Sequence, residues 1–241
     1  MLLADLRTIY ERDPAARNWL EVLFCYPGLQ ALLFHRLAHW LYKTELPFIP
    51  RFISHISRFL TGIEIHPGAV IGKGVFIDHG MGVVIGETAI VGDYALIYQG
   101  VTLGGTGKEI GKRHPTLGSH VVVGAGAKVL GNIMIGDRVR VGAGSVVLRD
   151  VPSDTTVVGI PGRVTRQNNV NADVLAHDKL RDVEAEVIRA LFERVKALEK
   201  QMEELDTDSI LTATEVGDEQ TDDDKNNTDS VIEEFLDGAG I

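Results

Sequence analysis

Large aliphatic residues recur every six positions through the middle of the chain. The repeating positions are Ile65, Ile71 and Ile77, then Ile85, Val91, Ile97 and Leu103, then Leu117, Val123, Val129, Ile135, Val141 and Val147. A helix of 3.6 residues per turn would scatter such positions over all its faces, whereas a three-sided coil returns each of them to its interior. The pattern therefore predicts an all-β solenoid, a parallel β-helix in which three hexapeptides make one turn.

The six-residue spacing is interrupted twice, and function tends to concentrate at breaks in a regular scaffold. Residues 77–85 span a step of eight, and the extra pair falls beside residues 78–80, with the sequence Asp-His-Gly. Residues 103–117 span a step of fourteen, which we interpret as two hexapeptides plus two inserted residues. This second interruption contains Arg113 and His114 and is expected to extrude as a loop.

Helical patterns flank the repeats on both sides. Residues 1–61 are predicted to form a helical head, with Asp13 capping a helix that starts at Pro14. Residues 62–163 form the predicted hexapeptide-repeat catalytic domain. Residues 172–205 carry apolar positions at steps of three and four, which predicts an amphipathic C-terminal helix of the kind that self-associates. Residues 206–241 contain twelve acidic residues and one lysine and are predicted to be a disordered acidic tail.

Charge and cysteine content narrow the functional classes. The net charge is −10, and residues 1–205 hold 23 basic and 22 acidic side chains, so the acidity belongs to the tail and no nucleic-acid partner is expected. Cys25 is the single cysteine, which excludes an intrachain disulfide and favours a reducing, cytoplasmic setting. The most apolar stretch, residues 19–42, is interrupted by charges and proline, so no membrane span is expected.

His79 is the candidate general base for a transfer reaction. It lies two positions after the inward-facing Ile77, at a corner where a neutral imidazole can accept a proton near pH 7. Arg113, on the predicted loop, offers a fixed fork of donors that suits a carboxylate. The alternatives are a surface histidine and a solvated basic loop. His66 and His120 are predicted to be structural, and no metal is expected, because no two of the repeat histidines His66, His79, His114 and His120 have a helix-type ligand spacing.

Three small residues suggest a slot for an elongated ligand. Ala125 and Ala143 are eighteen positions apart, one full turn, and Gly105 precedes Ala125 by eighteen plus the two inserted residues. We therefore expect the three to stack along one corner, where a ligand can approach the backbone closely. The alternative is that small residues merely fit sharp corners.

Residues 78–88, 101–108 and 113–115 resemble the serine acetyltransferase family of left-handed β-helix acyltransferases, and the resemblance runs over residues 13–160. It implies a left-handed coil that acetylates L-serine from acetyl-CoA in cysteine biosynthesis and is inhibited by L-cysteine. By resemblance His79 is the base, and Glu64 stands where the family has the aspartate that orients it. The implied serine-binding residues are Asp13, Asp78, Arg113 and His114, with His114 also near the reacting hydroxyl. The implied coenzyme A residues are Gly105, Thr106, Ala125 and Ala143.

The resemblance also implies partners. It predicts a homotrimer, with a dimer of trimers left open because the helical head is short. The terminal Ile241 resembles family tails that insert into the active site of cysteine synthase. Two other hypotheses are an acetyltransferase for a sugar or similar hydroxylated acceptor, and a trimeric scaffold without activity. The candidate ammonium- and carboxylate-binding residues argue against a sugar, which has neither group.

Overall fold

The computed structural model describes residues 1–107, 110–165 and 183–210. Four helices precede the repeats: α1 (Leu2–Arg12), α2 (Trp19–Cys25), α3 (Pro27–Tyr42) and α4 (Ile49–Thr61). A series of strands of two or three residues follows, from Glu64 to Thr165. The fifth helix, α5 (Val183–Ile210), lies in a separate compact unit of the chain.

The strands form the three walls of a prism. Wall A contains β1 (Glu64–Ile65), β4 (Val84–Ile85), β7 (Thr102–Gly104), β10 (Lys128–Leu130) and β13 (Val146–Val147). Wall B contains β2 (Val70–Ile71), β5 (Ile90–Val91), β8 (Thr116–Leu117) and β11 (Met134–Ile135). Wall C contains β3 (Phe76–Ile77), β6 (Leu96–Ile97), β9 (Val122–Val123), β12 (Arg140–Val141), β14 (Thr156–Val158) and β15 (Arg163–Thr165). The chain visits walls A, B and C in turn.

The walls confirm the predicted parallel solenoid. Neighbouring strands in each wall are parallel, except for the last pair, β14 and β15, which is antiparallel. The six-spaced aliphatic residues point into the prism, and Ile97, Leu103 and Val123 are fully buried there. Burying such a side chain contributes about 1.5–3 kcal/mol. The hexapeptide pattern thus encodes the interior of the coil directly.

The strand register corrects the predicted length of the second interruption. Val84 pairs with Thr102 eighteen residues later, which is one regular turn. Thr102 pairs with Lys128 twenty-six residues later, so the turn between them holds eight extra residues. The step from β7 on wall A to β8 on wall B is therefore one hexapeptide plus eight inserted residues. The prediction of two hexapeptides plus two inserted residues was wrong. Fourteen residues fit two hexapeptides with two inserted residues as well as one hexapeptide with eight, and the six-residue period alone cannot distinguish the two.

Asp13 ends a helix instead of starting one. It is the C-terminal cap residue of α1, and its backbone N–H donates to the Ile9 carbonyl. The prediction was wrong because the chain makes only a turn after Pro14, in which Asp13 Oδ1 accepts a hydrogen bond of 2.8 Å from the Ala15 N–H and the Asp13 carbonyl accepts one of 3.1 Å from the Ala16 N–H. The next helix, α2, is capped by Asn18, whose side chain accepts a hydrogen bond of 2.8 Å from the Glu21 N–H.

The helical head packs on wall C. Ile9, Val22 and Leu29 share a buried cluster with Phe76 and Leu96 of wall C. A buried ion pair fixes the same contact: Asp5 accepts a hydrogen bond of 2.6 Å from Arg36 Nη2 and one of 2.7 Å from the Gly74 N–H. Burial raises the pKa of Asp5, although Arg36 opposes that rise. The head therefore covers the first three strands of wall C, β3, β6 and β9.

The C-terminal helix ends later than predicted, and the first part of its predicted range, residues 172–182, lies outside the described residues. α5 continues to Ile210, five residues beyond the expected end at residue 205, because propagating an existing helix costs little free energy per residue. Ile241 and most of the predicted acidic tail lie outside the described residues. Within the described ranges, no helix has the length and apolar character needed to cross a membrane.

Candidate active site

His79 occupies the corner between walls C and A, within the two-residue insertion. Its backbone has φ +56°, followed by Gly80 at +67° and Gly82 at +75°. A non-glycine residue in this left-handed region costs about 1–2 kcal/mol. The imidazole is 76 % exposed in the single chain, and its Nε2 lies 3.9 Å from Asp78 Oδ1, beyond hydrogen-bond distance. The corner therefore presents the imidazole on the surface of the coil.

Two carboxylates interact beside His79. Asp78 is half-buried, and its pKa is raised by desolvation first and by the negative charge of Asp13 in addition, while His79 lowers it. Asp13 Oδ2 accepts a hydrogen bond of 2.6 Å from the Tyr26 hydroxyl. Burial, and then this bond, raise the pKa of Tyr26. Two acidic groups in one partly desolvated place form a site suited to an ammonium group.

Arg113 and His114 lie at the corner between walls A and B, where Thr88 holds them. Thr88 Oγ1 accepts hydrogen bonds from the backbone N–H of Arg113 at 3.0 Å and of His114 at 3.1 Å. The same oxygen lies 2.9 Å from His114 Nδ1, and the Thr88 N–H donates to Nδ1 at 3.2 Å. Because an amide N–H can only donate, Nδ1 is the acceptor and the proton of the neutral ring is on Nε2.

His114 is confined in its neutral form. Only 8 % of the residue is exposed. Desolvation first, and the nearby charge of Arg113 second, lower the pKa of His114 below its ordinary value. A Cβ atom added at Gly86 would lie 2.0 Å from the His114 Cδ2 atom, so the ring needs glycine beneath it. The Nε2–H of His114 is thus a fixed neutral donor near pH 7.

Arg113 is oriented by a carboxylate. Its Nη2 donates to Glu87 Oε2 at 2.5 Å, and the Tyr42 hydroxyl donates to the other oxygen of Glu87 at 3.2 Å. The Arg113 hydrogen bond is the largest reason that the pKa of Glu87 is lowered. A guanidinium carries five N–H donors in a rigid fork, so this bond fixes its plane while other donors can meet a ligand carboxylate.

The predicted small-residue column is only partly formed. Ala125 and Ala143 stack at the corner between walls C and A, where the Gly144 N–H donates to the Ala125 carbonyl at 2.8 Å. Gly105 lies at the other corner, directly after Gly104, which pairs with Leu130. Its predicted place in the column was wrong, because the insertion before Ala125 holds eight residues and not two. Thr106 follows Gly105 and is exposed there.

The structure thus divides the predicted site residues between two corners that flank wall A. The C/A corner, as we call it, holds Asp13, Asp78, His79, Ala125 and Ala143. The A/B corner holds Gly105, Thr106, Arg113 and His114. A single chain does not bring the two sets together. Glu64 lies on β1 of wall A, and its Oε2 accepts a hydrogen bond of 2.8 Å from Arg58 Nη1 instead of contacting His79.

Several supporting residues were not singled out from sequence. Thr88 and Glu87 entered only as part of the family resemblance, although both fix the A/B corner. Their roles follow from the pairing of strands in successive turns of wall B. Ile90 pairs with Thr116, twenty-six residues later, and the same offset sets Thr88 beside His114. That register is unknown until the length of the insertion is known. Tyr26, which binds Asp13, has no sequence signal of its own.

The two histidines predicted to be structural, His66 and His120, contact neighbouring groups of the chain. His66 Nδ1 accepts a hydrogen bond of 2.9 Å from the Gly68 N–H, and burial lowers its pKa to about 4. His120 stacks on Tyr94 with ring centroids 5.2 Å apart. Across the described ranges, no three His, Cys, Asp or Glu side chains are grouped as metal ligands.

A coil of hexapeptides with polar groups at its corners defines the class of hexapeptide-repeat transferases. The family described as "Bacterial transferase hexapeptide (six repeats)" matches residues 114–149. A serine acetyltransferase from Synechococcus elongatus is 67% identical over 240 residues, which cover 100% of this chain and 98% of that protein. The chain therefore belongs to the serine acetyltransferase family, whose members are acyltransferases.

Solved structures agree with this assignment. The serine acetyltransferase of Neisseria gonorrhoeae in complex with serine aligns with a TM-score of 0.66 and 44% identity, covering 68% of this chain and 67% of that one. A serine acetyltransferase in complex with cysteine aligns with a TM-score of 0.67 and 39% identity, covering 68% of each chain. These neighbours imply that the coil is left-handed. Family membership also argues against a sugar acetyltransferase and against an inactive scaffold.

The Thr88 hydroxyl provides a direct test of the A/B corner. Thr88→Val keeps the shape of the side chain but removes the hydroxyl that contacts His114 Nδ1 and accepts from two backbone N–H groups, while the backbone N–H of residue 88 still donates to Nδ1. We expect kcat/KM for serine to fall about 10- to 100-fold, since unsatisfied buried groups cost about 1–3 kcal/mol. Steady-state kinetics at varied serine measures this, with Thr116→Val on wall B as the matched control. Equal kcat/KM in both variants would contradict the role of Thr88.

Proposed function

We propose that this enzyme transfers the acetyl group of acetyl-CoA to the side-chain oxygen of L-serine, giving O-acetyl-L-serine for cysteine biosynthesis. One observation carries the proposal: the two corners that flank wall A offer complementary charges. Asp13 and Asp78 suit an α-ammonium group, and Arg113 suits an α-carboxylate. The structure of a relative in complex with serine supports the same substrate.

A second copy of the chain is needed to complete each site. The two sets of residues lie at different corners of one prism, so one small substrate cannot touch both in a single chain. In a ring of three copies with wall A facing the threefold axis, the C/A corner of each copy meets the A/B corner of the next. We therefore propose a homotrimer with three shared sites. A dimer of trimers stays a prediction of the resemblance.

The reaction needs a single displacement at the thioester. His79 removes the hydroxyl proton as the serine oxygen attacks the acetyl carbon, and backbone N–H groups at the corner stabilise the oxyanion. The C–S bond then breaks, and the imidazolium returns its proton to the departing thiolate, giving free coenzyme A. His114 of the neighbouring copy donates its Nε2–H near the serine carboxylate and hydroxyl. No metal and no covalent enzyme intermediate is required.

Glu64 is proposed to orient the His79 imidazole. The Gly82 N–H donates to the Gly62 carbonyl at 2.9 Å, so the His79 corner lies one turn above the start of β1, which carries Glu64. The carboxylate is bound by Arg58 at 2.8 Å in the single chain. Arg58 binds one oxygen of the Glu64 carboxylate at the surface of wall A, and a carboxylate has a second oxygen that can accept the second ring N–H of His79.

Coenzyme A is proposed to lie in the groove between two copies. Ala125 and Ala143 leave the backbone open along the C/A corner of one copy, over two successive turns. Gly105 and Thr106 at the A/B corner of the next copy would line the opposite side. An extended pantetheine arm suits such a groove, because small side chains let it exchange hydrogen bonds with backbone groups.

Two regulatory partners are also proposed. L-cysteine has the ammonium and carboxylate groups of serine, so it would compete at the same site, and a relative has been solved in complex with cysteine. Ile241 would dock into cysteine synthase, since an apolar terminal residue with a free carboxylate suits a pocket made for an amino acid. A cytoplasmic setting remains a prediction from the cysteine count.

Release of free thiol from acetyl-CoA tests the proposed reaction. With L-serine as acceptor we expect saturable thiol release, together with one O-acetyl-L-serine per thiol by mass spectrometry. Maltose and chloramphenicol, which lack the paired ammonium and carboxylate, serve as acceptor controls. Thiol release that does not depend on serine, or that is faster with maltose, would contradict the proposal.

A further inference from the structure

Helix α5 carries an apolar stripe along its length. Its apolar residues Ile188, Leu191, Val195, Leu198 and Met202 have exposed fractions of 39 to 66 %. They follow one another at steps of three, four, three and four residues, and Leu205 continues the series by three. A strict alternation of three and four is the 3.5-residue period of a coiled-coil seam, narrower than the face of a helix that packs on a globular core.

The stripe fits three heptads. The a positions are Ile188, Val195 and Met202, and the d positions are Leu191, Leu198 and Leu205. The helix Val183–Ile210 has 28 residues, enough to hold all three heptads. A single amphipathic helix of this kind is stabilised mainly by packing its apolar seam against a partner.

Charges beside the seam select a parallel arrangement. Arg194 at a g position and Glu199 at the following e position are both exposed and five residues apart. In a parallel coiled coil a g residue faces the next e residue of the neighbouring helix, so Arg194 meets Glu199 of another copy. In an antiparallel pair g faces g and e faces e, which loses this attraction. The charges therefore favour a second copy of α5 in the same direction.

The number of helices follows from the body of the protein and rests on the proposed trimer. β-branched residues at a with leucine at d would by themselves favour two strands. In a trimeric ring the three copies hold their three α5 helices at high effective concentration. This outweighs a modest preference of the sequence for a two-stranded coiled coil. Phe192 at an e position also widens the apolar face, with Lys196 Nζ 4.4 Å from its ring centroid.

We propose that α5 forms a parallel three-stranded coiled coil with the α5 helices of the two other copies. The coiled coil ties together the three subunits whose corners build the active sites. It acts on assembly, so its loss lowers the stability of the trimer.

Cysteine cross-linking in the full-length protein tests the arrangement. Cys25→Ser provides a background without cysteine, and Ile188→Cys and Met202→Cys are then introduced separately. A parallel coil predicts that each variant forms disulfide-linked dimers on mild oxidation, up to about two thirds of chains, because one chain in each trimer has no partner left. Glu193→Cys, at an f position on the opposite face, is the control and should remain uncross-linked.

The outcomes separate this inference from the proposed function. Cross-linking of Ile188→Cys only when it is mixed with Leu205→Cys, the d position that it would face in an antiparallel pair, would indicate that arrangement and overturn the inference. Complete conversion to dimers would also overturn it, since three strands cannot all pair. Absence of cross-links from a protein that still sediments as an active trimer overturns the coiled coil alone, whereas an active monomer in sedimentation overturns the proposed shared site as well.

Leu191→Asp with Leu198→Asp should move trimer dissociation to at least about tenfold higher protein concentration.

Discussion

His79→Ala is expected to lower kcat for serine acetylation by about 10³-fold, because a positioned general base contributes about 10²–10⁴ to the rate. The substitution removes the imidazole at the C/A corner and leaves the small-residue column at Ala125 and Ala143 in place. The KM for acetyl-CoA should therefore change little. Thiol-release kinetics with both substrates varied measures the two effects separately.

His120→Ala is the matched control for this substitution. His120 also lies at a corner of the coil, with φ +58°, but it stacks on Tyr94. Its replacement tests whether losing any corner histidine disturbs the coil enough to reduce activity. Comparable loss of kcat in both variants, or near-normal turnover of His79→Ala, would refute the assignment of the base.

Mixed trimers of two inactive variants are expected to regain activity. His79→Ala disables the C/A corner, and Arg113→Ala disables the A/B corner by removing the carboxylate partner. In a closed ring that contains both variants, one interface joins the intact corners of two different copies. Such trimers should therefore show about one third of the wild-type turnover, although each parent alone is nearly inactive. Co-expression with two affinity tags and sequential purification isolates the mixed species.

A same-corner pair is the control for the mixing experiment. His79→Ala combined with Asp13→Ala leaves every C/A corner damaged, so mixed trimers of these two variants should stay inactive. If that pair regained activity, subunit mixing would be acting through something other than shared corners. If the first pair stayed inactive, the site would lie within one chain.

The interior of the coil was predictable from sequence because it repeats. Each hexapeptide places one large aliphatic residue inside. The period is still visible where one aliphatic residue type stands in place of another, as Leu103 does among isoleucines. Both interruptions were also visible, since a break in a strict period needs no structural knowledge. His79 and Arg113 could be singled out because they lie at those breaks.

The arrangement of the site could not be predicted in the same way. The length of the second insertion depends on which strands pair, and a six-residue period does not contain that information. The error moved Gly105 to the wrong corner. Likewise Asp13 and Pro14 fit the start of a helix as well as its end, because Asp13 has extended backbone, which an N-cap also has, and the residue types do not show that only a turn follows Pro14. Contacts such as that of Thr88 with His114 follow from the strand register and cannot be predicted before the length of the insertion is known.

The regular register gives the coil a fixed unit of length. Eighteen residues restore the same corner, as from Val84 to Thr102 and from Lys128 to Val146, and each turn advances the coil by about 4.8 Å. Adding or deleting one whole turn beyond Ala143 would lengthen or shorten the groove in such increments while every corner kept its direction. A coil with more or fewer whole turns would thus fit a longer or shorter cosubstrate, while the residues that perform the chemistry stay unchanged.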